Sequence, residues 1–248
     1  IVQGATISKR FKFLRESGWI MHYPELMALV GCNQDPERHP EGDVWTHTGF
    51  CLDAFATLKD LDPDDKLIVG FSVLCHDLGK PSTTEFLNGR WRAHGHEGAG
   101  SEPARSFLKR IGFPQRLRGS VYPLIENHLA PVVFFKDQVS NRAMLRLANR
   151  VGRMDLLGCV CLCDQAGRPP APVNFEALDW FAERSKALHI ADKKPVPIVQ
   201  GRDLIDSLGM TPSAIFGPIL AACMEAQLDG SITTLDEGLT FAKEWKAA

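Results

Sequence analysis

Long apolar runs are missing. Nothing in the 248 residues approaches the ~20 consecutive apolar positions that span a bilayer, so the expectation is a chain with no membrane partner. An excess of positive charge is missing too: 28 Lys and Arg stand against 30 Asp and Glu, for a formal net charge of −2. No global basic field therefore draws the chain to nucleic acid, and any RNA contact has to come from a local patch. Matched CxxC pairs are absent, and seven cysteines is an odd number. Cys159, Cys161 and Cys163 alternate through an apolar stretch and read as buried, reduced thiols of a cytoplasmic protein rather than as a zinc site. There is no glycine-rich phosphate cradle of the P-loop type and no fixed-period repeat. The start, Ile1-Val2-Gln3-Gly4, lacks an initiator Met and the charged-then-apolar pattern of a signal peptide, and reads as a processed or excised start.

What is present is a globular composition, 44% hydrophobic and 23% charged, with helical periodicity. Residues 66–75, 100–110, 142–150 and 175–188 repeat apolar side chains at three- and four-residue intervals. Alternating strand patterns are scarce. Asn88-Gly89 lies between flanks that read as a long loop or a short ribbon. Breakers divide the chain into an N-terminal helical segment (1–45), a main helical body (46–190) and a small helical module (198–248). The stiff Pro195-Val196-Pro197 segment precedes the module. Thr211-Pro212 is expected to start one of its helices.

Histidines and acids gather at element ends. His76-Asp77 closes an apolar helix and is followed by Leu78-Gly79-Lys80; Trp45-Thr46-His47-Thr48 opens another helix. Downstream come His94-Gly95-His96-Glu97, Glu126-Asn127-His128 and Cys163-Asp164-Gln165. A buried helix ending in two such polar groups is costly unless something compensates them. Mixed imidazole and carboxylate donors suit a borderline divalent ion. Singly, each has an ordinary role as a cap, a loop polar or a surface charge, and His22, His39 and His189 join no constellation.

Together, His47, His76-Asp77 and Asp164 form a His…His-Asp…Asp pattern that resembles the HD superfamily of metal-dependent phosphohydrolases. Tyr23-Pro24-Glu25-Leu26, the stretch from His39 to Thr48, the stretch from Leu74 to Lys80 and Gly95-His96-Glu97 are similar to the HD region of bacterial CCA-adding tRNA nucleotidyltransferases. So are the stretch from Asp164 to Arg168, the stretch from Gln200 to Ile205 and the stretch from Ala226 to Gly230. The nucleotidyltransferase head of that family is not matched: Asp62-Pro63-Asp64 lies in a turn without a Gly-Ser partner. The resemblance implies an all-α HD-domain bundle and a divalent cation (Mn, Ni, Co, Fe, Mg or Zn) held by His47, His76, Asp77 and Asp164. It also implies hydrolysis of nucleotide or RNA 3′-end phosphates, of the 2′,3′-cyclic phosphodiesterase, 2′-nucleotidase or phosphatase type.

Further roles are expected near that set. Asp77 orients water or lies between metals. His96 and His128 either hold a second metal, as the binuclear branch of the superfamily suggests, or bind phosphate and protonate a leaving group. Lys80 either neutralises a substrate phosphate or is an ordinary solvated lysine. Arg168, four residues after Asp164, holds that carboxylate or clamps phosphate, and Glu97 caps or orients. The competing expectation is a non-catalytic body and tail that bind tRNA beside a CCA-adding nucleotidyltransferase.

Overall fold

The structure, a computed structural model, describes residues 7–245. The Ile1–Gly4 start and the ends of the 1–45 and 198–248 segments (residues 1–6 and 246–248) lie outside the described residues. Within them the protein is all-α apart from one two-stranded ribbon. No helix there is long and apolar enough to cross a membrane.

Helix α1 (Ile7–Glu16) lays Ile7 and Phe11 onto the body, with the Phe11 ring stacked 3.6 Å from Trp45. A 3-10 turn (Trp19–His22) and α2 (Pro24–Met27) lead to a polar loop that ends at Asp43. The Asp43 carboxylate accepts from the Thr46 amide at 2.9 Å and so starts α3 (Val44–Thr57). In the same way Asp62 accepts from the Asp65 amide and Pro63 takes the first-turn place of α4 (Pro63–Cys75), so Asp62-Pro63-Asp64 is a helix start. Next come α5 (Lys80–Thr83) and an antiparallel ribbon, β1 (Thr84–Leu87) and β2 (Arg90–Ala93), in which Phe86 faces Trp91. Asn88 and Gly89, both at positive φ (51° and 77°), make the tight turn. Of the two expectations for this stretch, the ribbon is the one formed.

Six helices complete the body: α6 (His96–Ala99), α7 (Ser101–Arg110), α8 (Gln115–Glu126), α9 (Ala130–Lys136), α10 (Asn141–Val151) and α11 (Met154–Ala166), with α12 (Phe175–Ala187) closing it. The four periodic stretches fall on α4, α7, α10 and α12, within a residue at every end except the start of α4, which lies three residues earlier. Pro131 opens α9 rather than ending a helix, because a first-turn residue needs no amide donor. Helices α3, α4 and α11 pack together at the centre, and one apolar core runs from Ile7 to Ile190. The N-terminal helices share that core with the body.

A second apolar cluster, Val199, Leu204, Ile219, Cys223, Ile232 and Ala242, lies among α13 (Gly201–Asp206), α14 (Phe216–Leu228) and α15 (Leu235–Glu244). Thr211-Pro212 does not start a helix. Helix α14 begins four residues beyond Pro212, with Pro218 in its first turn, the place where a proline costs no hydrogen bond. Arg146 on α10 reaches Asp229 at 2.7 Å across the seam between the two clusters.

Candidate metal centre

Helix ends converge to build the site. The first turn of α3 carries His47; the α4 helix delivers His76 as its C-cap, followed by Asp77; Asp164 lies in the last turn of α11. His96 opens α6, and His128 follows the end of α8 by two residues. All six side chains are buried, five of them at 5% exposure or less. Two glycines permit this approach. A Cβ at Gly79 would lie 2.0 Å from the His96 carbonyl, and one at Gly167 would lie 2.2 Å from Cys51 Sγ.

The tautomers are fixed from behind. His76, His96 and His128 each place Nδ1 against the carbonyl three residues earlier: Val73 at 2.7 Å, Ala93 at 2.8 Å and Ile125 at 2.7 Å. A carbonyl only accepts, so each Nδ1 carries the proton, and in a neutral ring the Nε2 lone pair then faces the site. His47 Nδ1 donates to the Gly167 carbonyl at 3.1 Å and lies 2.8 Å from Glu41 Oε1. Its Nε2 also faces inward.

Four acceptors therefore crowd one point. His47 Nε2 lies 3.3 Å from His76 Nε2, 3.0 Å from Asp164 Oδ1 and 3.6 Å from Asp77 Oδ2. His76 Nε2 lies 3.2 Å from Asp77 Oδ2 and 3.7 Å from Asp164 Oδ1. Such an arrangement is repulsive unless positive charge sits among the lone pairs. Neither Asp77 oxygen accepts a hydrogen bond, and His96 Nε2, 3.4 Å from Asp77 Oδ1, has no partner either. Lys80 Nζ stands 2.7 Å from Asp77 Oδ2 as an ion pair without hydrogen-bond alignment. Among the described residues, spacing alone qualifies three groups as metal-ligand sets: His47, Cys51, His76 and Asp164; His39, Glu41 and His47; and His76, Asp77 and His128. The donor chemistry and the unpartnered oxygens fit a divalent cation.

Ionisation follows the same logic. Burial opposes charge on Asp77, yet His76, Lys80 and His47 hold it well below the usual carboxylate range. Burial likewise opposes charge on Asp164, but the adjacent His47 and His76 rings and the Arg168 guanidinium prevail and hold it well below the usual carboxylate range. For His76, burial disfavours the cation, and the two carboxylates outweigh it, raising the pKa to about 10. His128 lacks such partners at close range, so burial takes it down to about 3 and leaves a neutral ring.

Around this centre, Arg168 Nη2 donates to Asp164 Oδ2 at 3.1 Å although the helix has already ended at Ala166. Lys80 is buried, not solvated, and donates to Gln34 Oε1 at 2.7 Å as well as facing Asp77. Glu97 Oε2 lies 3.6 Å from His96 Nδ1. A cleft of about 670 Å³ opens from Asp77, His96, His128 and Asp164 to a rim that includes Arg38, Arg92 and Arg168. Its wall is the ribbon, braced where Arg90 pairs with Asp35 and Glu37. His94 lines this cleft but is exposed, whereas His22 and His189 are exposed elsewhere.

His39 is a correction: it does belong to the constellation. Glu41 Oε1 lies 2.8 Å from both His39 Nδ1 and His47 Nδ1. Burial opposes the Glu41 charge, but these two contacts win and lower its pKa to about 2. A carboxylate behind a ligand-type imidazole orients the ring and raises its basicity. Gln34 and Cys51 were also missed. Cys51 carried a readable signal, since it follows His47 by four residues and so shares its helix face. The Cys159–Cys163 alternation lies on α11 and belongs to none of these ligand sets, and all seven cysteines are free thiols.

No family model matches the chain, and no solved structure matches it. Curated proteins do. The chain is similar to tRNA nucleotidyltransferases. It is 30% identical over 234 residues to the CC-adding tRNA nucleotidyltransferase of Thermus thermophilus, covering 91% of this chain and 50% of that protein. The A-adding tRNA nucleotidyltransferase of Deinococcus radiodurans is 26% identical over 90% of this chain and 50% of its own length. A multifunctional CCA protein of Halorhodospira halophila is 34% identical over 71% of this chain and 41% of its own length. The chain thus spans about half the length of the first two relatives.

Proposed function

We propose that this chain is an HD-type phosphohydrolase that uses a divalent cation to cleave phosphate esters at nucleotide or RNA 3′ ends in the cytoplasm. The observation that carries the reading is the convergence of the His47 and His76 Nε2 atoms with the Asp77 and Asp164 carboxylates in one buried cluster. A cation held there supplies Lewis-acid polarisation of a phosphoryl oxygen and acidifies the attacking water. Asp77, with one oxygen toward His76 and the other toward His96, orients that water. Lys80 balances the Asp77 charge, while Arg168 fixes Asp164 and presents the rest of its guanidinium to substrate phosphate. His96 Nε2, its lone pair unpartnered at the cleft, takes a proton from the attacking water and returns it to the departing ribose oxygen as the P–O bond breaks. His128, held neutral, offers a lone pair beside Asp77 and suits a second ligand position. The test is hydrolysis of 2′,3′-cAMP and 2′-AMP by purified protein with manganese, nickel or magnesium. Equal rates for wild type and Asp77→Ala would remove the proposal.

A second reading is favoured by similarity that runs over nine-tenths of the chain to proteins named for acting on tRNA. In it the body and the tail hold tRNA for a nucleotidyl transfer performed elsewhere. Tight tRNA binding that weakens steeply with salt, in protein free of metal and of hydrolytic activity, is its signature. An RNA end as the hydrolysed substrate would unite the two.

A further inference from the structure

The ribbon that walls the cleft has two faces, and strand register sorts its side chains between them. Thr84 pairs with Ala93 and Phe86 with Trp91, so these four share one face; Glu85, Leu87, Arg90 and Arg92 share the other. Thr84, Trp91 and Ala93 line the cleft. Thr84 Oγ1 lies 3.7 Å from Cys32 Sγ in the polar loop, which turns that face toward the body. Trp91 is the large flat group on it and is half-buried. Its aromatic neighbour among the described residues is Phe86, met at a centroid distance of 5.1 Å and an interplanar angle of 61°. Such an edge-on contact covers at most one face of the indole. Arginine is the usual cation to stack on the other. Yet Arg90, the residue before Trp91, is drawn off to Asp35 and Glu37 at 2.7 Å each. No cation among the described residues lies over the Trp91 ring.

The same strand is tied to the buried cluster. The Ala93 carbonyl accepts from His96 Nδ1 at 2.8 Å. Two residues of strand, roughly 6–7 Å, separate Ala93 from Trp91. A phosphate ester beside His96 therefore leaves its sugar to bridge toward the indole. We propose that Trp91 is the specificity residue of the cleft and stacks on the nucleobase of the substrate. The inference rests on the functional reading given above and deepens it: the buried cluster takes the ester, and the ribbon takes the base. Stacking tolerates any base, because every base has a π-face. The cleft thus accepts nucleotides of any sequence and discriminates against sugar phosphates that carry no base.

The test compares two esters that differ only in the base, 2′-AMP and methyl riboside 2′-phosphate, each with manganese and the whole chain. The wild type should prefer 2′-AMP in kcat/KM by roughly 5–100-fold, the scale of one base stacked on one aromatic ring. Trp91→Ala should bring that preference close to one by raising KM for 2′-AMP, with kcat changed much less. Trp91→Phe keeps an aromatic face and should retain most of the preference. No preference in the wild type, or an equal loss on both esters in Trp91→Ala, overturns the inference. In the second case the indole only braces Phe86 and the ribbon. Should Trp91→Ala misfold, photolabelling of the wild type with 8-azidoadenosine 2′-phosphate decides the matter. The label is expected on the peptide that carries Trp91, and a label confined to other peptides overturns the stacking. If neither ester is hydrolysed, the phosphohydrolase reading falls, and equilibrium dialysis of 2′-AMP tests the ring by itself. Nucleotide retained by the wild type and lost in Trp91→Ala keeps the stacking assignment, while no retention overturns it too.

Discussion

The core closed by Ile7, Leu52, Val73 and Leu157 also encloses His47, His76, Asp77, Lys80, His96, His128 and Asp164. The core closed by Val199, Leu204, Ile219 and Ile232 encloses, among the described residues, no polar or charged side chain. Burying an ionisable group costs several kcal/mol unless partners compensate it. The larger core meets that cost with backbone carbonyls behind the imidazoles and with opposed charges in front of them. The smaller core has nothing to compensate and relies on apolar burial alone. Buried charge is thus confined, among the described residues, to the larger core.

Changes at the charged core should remove function while sparing the fold. Asp77→Ala is expected to lower cation-dependent hydrolysis by about 10²–10³-fold, the usual scale for losing an electrostatic stabiliser at a reacting centre. Thermal melting of the same variant should stay cooperative, because the apolar core around the site is intact. A variant that loses both together would erase the distinction between the two cores.

The opposite experiment is Leu204→Ala in the small module, where a fully buried side chain leaves a cavity worth about 2–5 kcal/mol. The module should melt at lower temperature while hydrolysis of 2′,3′-cAMP continues at the wild-type rate. Loss of small-substrate turnover would tie the module to the site.

A third test reads proton against cation. His76 has a pKa raised from 6.5 to about 10. The stability it contributes is therefore present below about 6.5 and is lost as pH climbs through about 10. Chelated protein should show a falling Tm over that window. Added manganese or zinc should reverse the slope, because the cation replaces the proton and binds better to the deprotonated ring. Identical slopes with and without metal would mean that no cation enters the cluster.

The smallest effect belongs to the seam. Arg146→Ala removes an exposed pair with Asp229 and should leave melting unchanged within error, since solvent-exposed ion pairs contribute little. A large drop would show the two cores to be one cooperative unit.

Much of the fold was legible because helical periodicity is local: α4, α7, α10 and α12 follow from apolar spacing alone. The Asp43 cap, the start of α14 and the contribution of Glu41 were harder. Glu41 works only because a polar loop crosses in front of α3 and brings it behind His47, and no spacing rule records that crossing. Cys51 sits at helical spacing from His47, yet a thiol on an apolar face reads first as packing.

By itself the sequence determined the helical class, the adjacent His76-Asp77 pair at a helix end, and the supply of imidazoles and carboxylates, since these depend on neighbours along the chain. Only the tertiary structure decided that Asp164 meets His47 at 3.0 Å across a sequence separation of 117, that Lys80 is buried against Asp77, and which ring nitrogen faces inward. Those outcomes depend on close packing of helix ends and on carbonyls that exist in position only once the chain has folded.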